Sequence, residues 1–100
     1  MSISIKIHNS YRTVVAVCDE SLLGKKFEEG NRQLHLTESF YRDKFMDIKE
    51  AAEAIEYQAN EDATFNIVGE ESIRAAIKAE LITNKDVQKV AGIPFAMTFL

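Results

Sequence analysis

The chain is 100 residues long, with 46% hydrophobic and 28% charged residues, four glycines and one proline. That is one domain, residues 1–100, with enough apolar material to bury a core and too little glycine and proline for a linker or a disordered arm. Its 16 acidic and 12 basic side chains give a formal net charge of −4, which argues against a simple electrostatic grip on nucleic acid, since that needs a basic surplus.

The acid surplus sits mid-chain: residues 33–61 hold seven acidic and three basic groups, against four and five in residues 1–32. Lys6, Arg12, Lys25, Lys26 and Arg32 would form a local basic patch for RNA only if the fold brought them together. Cys18 is the single cysteine, so no intrachain disulfide can form, which fits a reducing cytoplasm. The opening Met-Ser-Ile-Ser-Ile-Lys does not read as a signal peptide, and no apolar run approaches the ~18 residues of a membrane helix. Two histidines and one cysteine make no zinc-type ligand cluster, so no metal or other cofactor is expected.

Ile3, Ile5 and Ile7 alternate with Ser4, Lys6 and His8, the period of a strand with one apolar face. His8-Asn9-Ser10-Tyr11 carries turn residues. The valine-rich run from Thr13 to Cys18 reads as a second strand covered on both faces, pairing with the first as a hairpin. Asp19 is placed to cap a single helical turn ended by Gly24. In the charged stretch 25–30, Phe27 is the anchor to the core. Gly30-Asn31 is a turn, and Leu34 and Leu36 alternate with Gln33 and His35 as a third strand.

Thr37 to Tyr41 reads as a helical turn with buried aromatics. Asp47 and Glu50 have the spacing of a capping box, with Met46 and Ala51 at the staple positions. Ile48, Ala51, Ala52, Ile55 and Ala59 then form the apolar stripe of a helix whose glutamates face away.

Phe65, Ile67 and Val68 suit a buried strand. Gly69 breaks it, and residues 70–81 read as a helix with Ile73, Ala76, Ile77 and Leu81 on one face. Glu70 and Glu71 suit its positive end, and Glu70 and Arg74 stand at the spacing of an ion pair. A glycine between strand and helix can cradle a phosphate. Here it stands alone beside two glutamates, so a tight turn is the expected role of Gly69. Asn66 is polar inside an apolar strand: either it faces solvent and the neighbouring backbone, or it touches a ligand.

Residues 83–86 read as a loop or a short capped turn. Residues 87–91 and 95–100 read as paired strands around Gly92-Ile93-Pro94, with Phe95, Met97 and Phe99 on one face. The expected fold is α+β: a mixed or antiparallel sheet of about five to six strands with two main helices packed on one face.

Several stretches resemble one small family of archaeal proteins, the "domain of unknown function 424". They are Ala16-Val17-Cys18-Asp19, Leu22-Leu23-Gly24-Lys25 with Phe27, Glu29 and Gly30, Phe40-Tyr41, Asn66-Ile67-Val68-Gly69-Glu70, and Ala91-Gly92-Ile93-Pro94. The resemblance implies a single-domain archaeal cytoplasmic protein and brings no settled activity. It draws attention to Asp19, Lys25, Glu29, Asn66, Gly69 and Glu70 as ligand- or partner-binding residues. One departure is that Phe95 stands where the family pattern has a histidine after the proline, so chemistry assigned to that histidine has no group here.

Three functions compete. The first is a non-catalytic binding or adaptor module with an unknown protein partner, serving a translation or RNA-associated complex; no catalytic residue is nominated. The second is a small enzyme or ligand sensor using a polar notch of Asp19, Asn66 and Glu70, with Lys25 as counter-charge. The third is self-association as a homodimer through an exposed apolar edge, strand 95–100. Cys18 is expected to be a small buried hydrophobe, since the adjacent Asp19 disfavours a thiolate.

Overall fold

A computed structural model describes residues 2–98. The first two strands, β1 (Ile3–His8) and β2 (Val14–Asp19), form the expected antiparallel hairpin, with Ile5 opposite Val17. After a 3-10 turn at Glu20–Leu22 come β3 (Lys26–Glu29) and β4 (Arg32–His35), then the four-residue helix α1 (Glu38–Tyr41). A three-residue strand, β5 (Lys44–Met46), precedes helix α2 (Ile48–Asn60). Strand β6 (Thr64–Val68) leads into α3 (Glu70–Lys78), and β7 (Gln88–Val90) and β8 (Ile93–Thr98) close the described chain. Leu100 and Phe99, expected in the last strand, lie outside the described residues.

The main sheet has six strands in the order β5-β1-β2-β6-β8-β7. It is mixed: β2 and β6 run parallel, and the other neighbours are antiparallel. The two main helices, α2 and α3, pack on one face over Ile3, Val15, Val17, Phe65 and Ile67. The third expected strand does not join this sheet. It pairs with β3 in a separate two-stranded hairpin, which lays Phe27, Leu34 and Leu36 over Ala16, Cys18, Val68 and Phe95 on the opposite face. β2 is therefore covered on both sides, as its valine-rich run requires, and residues 15–18 are fully buried.

The capping box of α2 forms as the spacing predicts: Glu50 N–H donates to Asp47 Oδ1 (2.8 Å), and Asp47 N–H donates to Glu50 Oε1 (3.2 Å). The helix of 70–81 is shorter than its apolar stripe. It ends at Lys78, and Glu80 turns to φ +62° while Leu81 N–H returns to the Ala76 carbonyl. The ion pair of Arg74 is with Glu71, three residues back (3.6 Å), rather than with Glu70.

Among the described residues, the last strand is flanked on both sides only at Phe95; Ala96 to Thr98 pair with β6 alone. β8 lies between β6 and β7, with β7 pairing along Ile93 to Phe95. The outer strands of the sheet are β5 and β7.

Candidate functional site

The carboxyl ends of the parallel strands β2 and β6 lie side by side, and Asp19 and Gly69 meet there. Asp19 does not cap the turn that follows it; its side chain makes no capping bond to that turn. It caps α3 instead. Its Oδ2 accepts from Glu71 N–H (3.1 Å), and its Oδ1 accepts from Ser72 N–H (2.8 Å) and from the Ser72 hydroxyl (2.7 Å). Gly69 stands at the N-cap with φ +110°, and a Cβ there would sit inside the Asp19 carboxyl group. The glycine is thus required twice, by its backbone angle and by the close approach of Asp19. The free amides that could cradle a phosphate are filled from within by the chain's own carboxylate.

Around this cap lie two acidic clefts. One, of about 220 Å³, is lined by Asp19, Glu70, Glu71 and the Gly92–Pro94 segment. The other, of about 340 Å³, is lined by Asp19, Glu20, Glu71 and two serines. Glu70 and Gly69 share the first cleft with Asp19, but Asn66 does not. In the register Ala16 lies opposite Asn66, and Ala16 belongs to the layer under the hairpin, whereas Asp19 turns toward α3. The notch of Asp19, Asn66 and Glu70 is therefore split across the sheet. Lys25 lines none of these hollows. Its backbone ties the 3-10 turn to the hairpin through Leu22 and Leu36 (3.1 and 2.9 Å). Glu29 has a structural partner: its Oε1 accepts from Ala91 N–H (2.7 Å), which pins the hairpin to the β7–β8 turn.

Asn66 opens instead onto a concavity of about 390 Å³. Its floor is the sheet face of β6, β8 and β7, where Met97 lies opposite Asn66 and Phe95 lies opposite Val68 and Gln88. One wall is β4, with Arg32, Gln33 and Leu34, and Tyr41 of α1 also lines it. Arg32 donates to Gln88 Oε1 (2.8 Å) and lies over the Phe95 ring, 5.5 Å from its centroid. Met97 is 55% exposed. A volume of 300–1,000 Å³ with apolar walls and a few placed polar groups is the usual form of a ligand site.

Nothing in this lining exchanges a proton near neutrality. Burial, helped by the neighbouring Cys18, pushes the Tyr41 hydroxyl up to about 12, so it stays neutral. Cys18 lies beneath, fully buried, and burial together with the Asp19 charge pushes its thiol up to about 12. Three of the basic residues have local partners. Lys6 donates to the Ser39 carbonyl (2.7 Å), Lys26 pairs with Glu28 (3.6 Å), and Arg32 is held by Gln88.

Of this lining, Asn66 stands out in the sequence as a polar residue in an apolar strand; Arg32 stands out only as a charge, and Gln33, Gln88 and Met97 carry no motif. The available signal was Met97, an apolar residue sharing a face with Phe95 where no partner strand or helix was in view.

Fold and hollow together define a class: a small mixed-sheet α+β domain whose second face carries a hairpin and, beside it, an open recess. The model described as "Protein of unknown function (DUF424)" matches residues 7–100, and the chain belongs to that family. No curated protein matches it. Among solved structures, it is similar to the crystal structure of an uncharacterized conserved protein from Methanopyrus kandleri. The TM-score is 0.90 and the identity 28%, over 98% of this chain and 90% of that one. Phe95 forms part of the floor and lies under Arg32.

Proposed function

We propose that this chain is a non-catalytic binding module of the cytoplasm, an adaptor that engages its partner through the concavity beside β4. The observation that carries the reading is the lining itself: an apolar floor with Met97 half in solvent, ringed by carboxamides and one guanidinium, with no carboxylate, histidine or thiol. Such a surface recognises; it has no group to take or give a proton. The acidic clefts support recognition less well, because the Asp19 carboxylate already accepts three hydrogen bonds from α3. The recess is open on the sheet face, so it is accessible both to a group displayed by a protein or RNA-associated complex and to a free small molecule.

The test is capture from native lysate by the tagged full chain and by its Met97→Asp variant, with co-purifying proteins and released small molecules identified by mass spectrometry. The expected result is one species in stoichiometric amount with the parent chain, reduced at least tenfold by the variant. Equal recovery by both would place binding elsewhere. Turnover of a captured metabolite, abolished by Cys18→Ser, would contradict the non-catalytic reading.

A further inference from the structure

We propose that the concavity receives one planar nitrogen heterocycle of nucleobase type, lying flat on the sheet face with its hydrogen-bonding edge toward Asn66 and Gln33. This rests on the reading of the concavity as the recognition site and names the chemistry of its occupant. Three features point the same way. The first is shape. The floor is an open patch of sheet, where Asn66 and Met97 are cross-strand neighbours, and β4 lies beside it as a wall. A thin, flat ligand can cover that floor and still touch the wall.

The second is hydrogen-bonding character. The polar side chains of the lining are mainly carboxamides: Asn66, Gln33 and Gln88. A carboxamide sets a donor and an acceptor in one plane, which is the complement of the lactam or amidine edge of a base. Among the described residues, neither Asn66 nor Gln33 makes a side-chain hydrogen bond, whereas the Gln88 oxygen is held by Arg32. Two in-plane readers are therefore free. The third is the stacking surface. Met97 presents a polarizable thioether half in solvent, beside Val68 and Phe95, and such surfaces hold a ring by its face.

The heterocycle has two sources, a free nucleoside or a base splayed from a single strand. Strand binding requires cations along the backbone path. Here Arg32 is the one charged side chain of the lining, and Lys6 and Lys26 have partners of their own.

The experiment titrates the isotope-labelled full chain with adenosine, guanosine, cytidine, uridine, ribose and short single-stranded oligonucleotides. The readouts are the side-chain amide signals of Asn66 and Gln33 and the Met97 methyl signal. Saturable shifts at these three groups with at least one nucleoside, and none with ribose, are expected, and Asn66→Leu should weaken binding at least tenfold while its backbone spectrum stays dispersed. Equal affinity for nucleoside and oligonucleotide with little salt dependence identifies the free ligand. Tighter oligonucleotide binding that falls steeply with salt identifies a strand; both results uphold the heterocycle. Absence of shifts at millimolar nucleoside, shifts confined to other faces, or unchanged binding by Asn66→Leu would overturn it. If nucleosides fail while capture from lysate still depends on Met97, the heterocycle falls and the recognition site stands.

Discussion

Asp19 lies where a helix ordinarily keeps its own cap. Position 69 has no side chain to offer, and the carboxylate arrives from a strand 53 residues earlier to hold Ser72. Removing it strips three hydrogen bonds from a buried site, so Asp19→Ala should cost about 2–3 kcal/mol in urea unfolding. Gly69→Ala should be destabilising as well, because its Cβ collides with that carboxyl group. The two losses should not add: with Asp19 shortened, much of the collision is gone, and a double-mutant cycle should show the coupling. Strict additivity would mean that the two positions do not meet. The sequence marked Asp19 as a cap but assigned it to the wrong helix, because capping from a distant strand leaves no local spacing to read. Cys18 was legible, since a cysteine ending a valine run is usually buried. Its thiol is raised from about 9 to about 12 by burial and by Asp19, so the folded chain holds its proton where the unfolded chain releases it. That contribution to stability is complete below pH ~9 and is lost as pH rises toward ~12. Alkylating reagents should leave Cys18 unmodified at pH 8 in the folded protein and label it at once in denaturant; rapid labelling of the native chain would contradict this.

Among the elements, β1 shows how a readable pattern can hide its purpose. The alternation of isoleucine with Ser4, Lys6 and His8 specifies a strand, and the strand is there. Its polar face meets the end of α1. The Ser4 hydroxyl donates to the Tyr41 carbonyl (2.7 Å), Lys6 Nζ donates to that of Ser39 (2.7 Å), and His8 Nε2 lies 2.8 Å from that of Phe40. Three consecutive carbonyls of a short helix thus find partners on alternate residues of one strand. Ser4 also accepts from Asp43 N–H (2.9 Å) and is fully buried, so Ser4→Ala should cost about 1–3 kcal/mol. It should also speed amide exchange at Asp43 and in α1. An effect no larger than that of Lys6→Ala, whose bond is exposed, would refute the clamp. β3 escaped sequence reading because Phe27 is its one apolar residue, and β5 because three residues show no period. The β7–β8 turn places Ala91 at φ +52° beside Gly92 at φ +81°, a two-residue connection that favours asparagine or glycine first. Ala91→Gly should therefore raise stability by about 0.5–1 kcal/mol in thermal or urea unfolding.

At the scale of the whole molecule, the two helices on one sheet face follow from stripes and alternation visible in the chain. The pairing of β2 with β6 does not, since parallel neighbours separated by five labelled elements share no turn. The landing place of the β3–β4 hairpin was equally hidden. It is set by Glu29 at Ala91, Arg32 at Gln88, and the apolar contacts of Phe27 and Leu34. That landing leaves Asn66 and Met97 beside a wall instead of under one, and so creates the recess. The most direct measurement is backbone amide chemical-shift mapping of the labelled full chain mixed with whatever it captures from lysate. Shifts should gather at Arg32 to Leu34, Asn66, Gln88 and Phe95 to Met97. Shifts gathered instead at Asp19 to Ser21 and Glu70 to Glu71, or on the outer faces of α2 and α3, would contradict the proposed role of the recess.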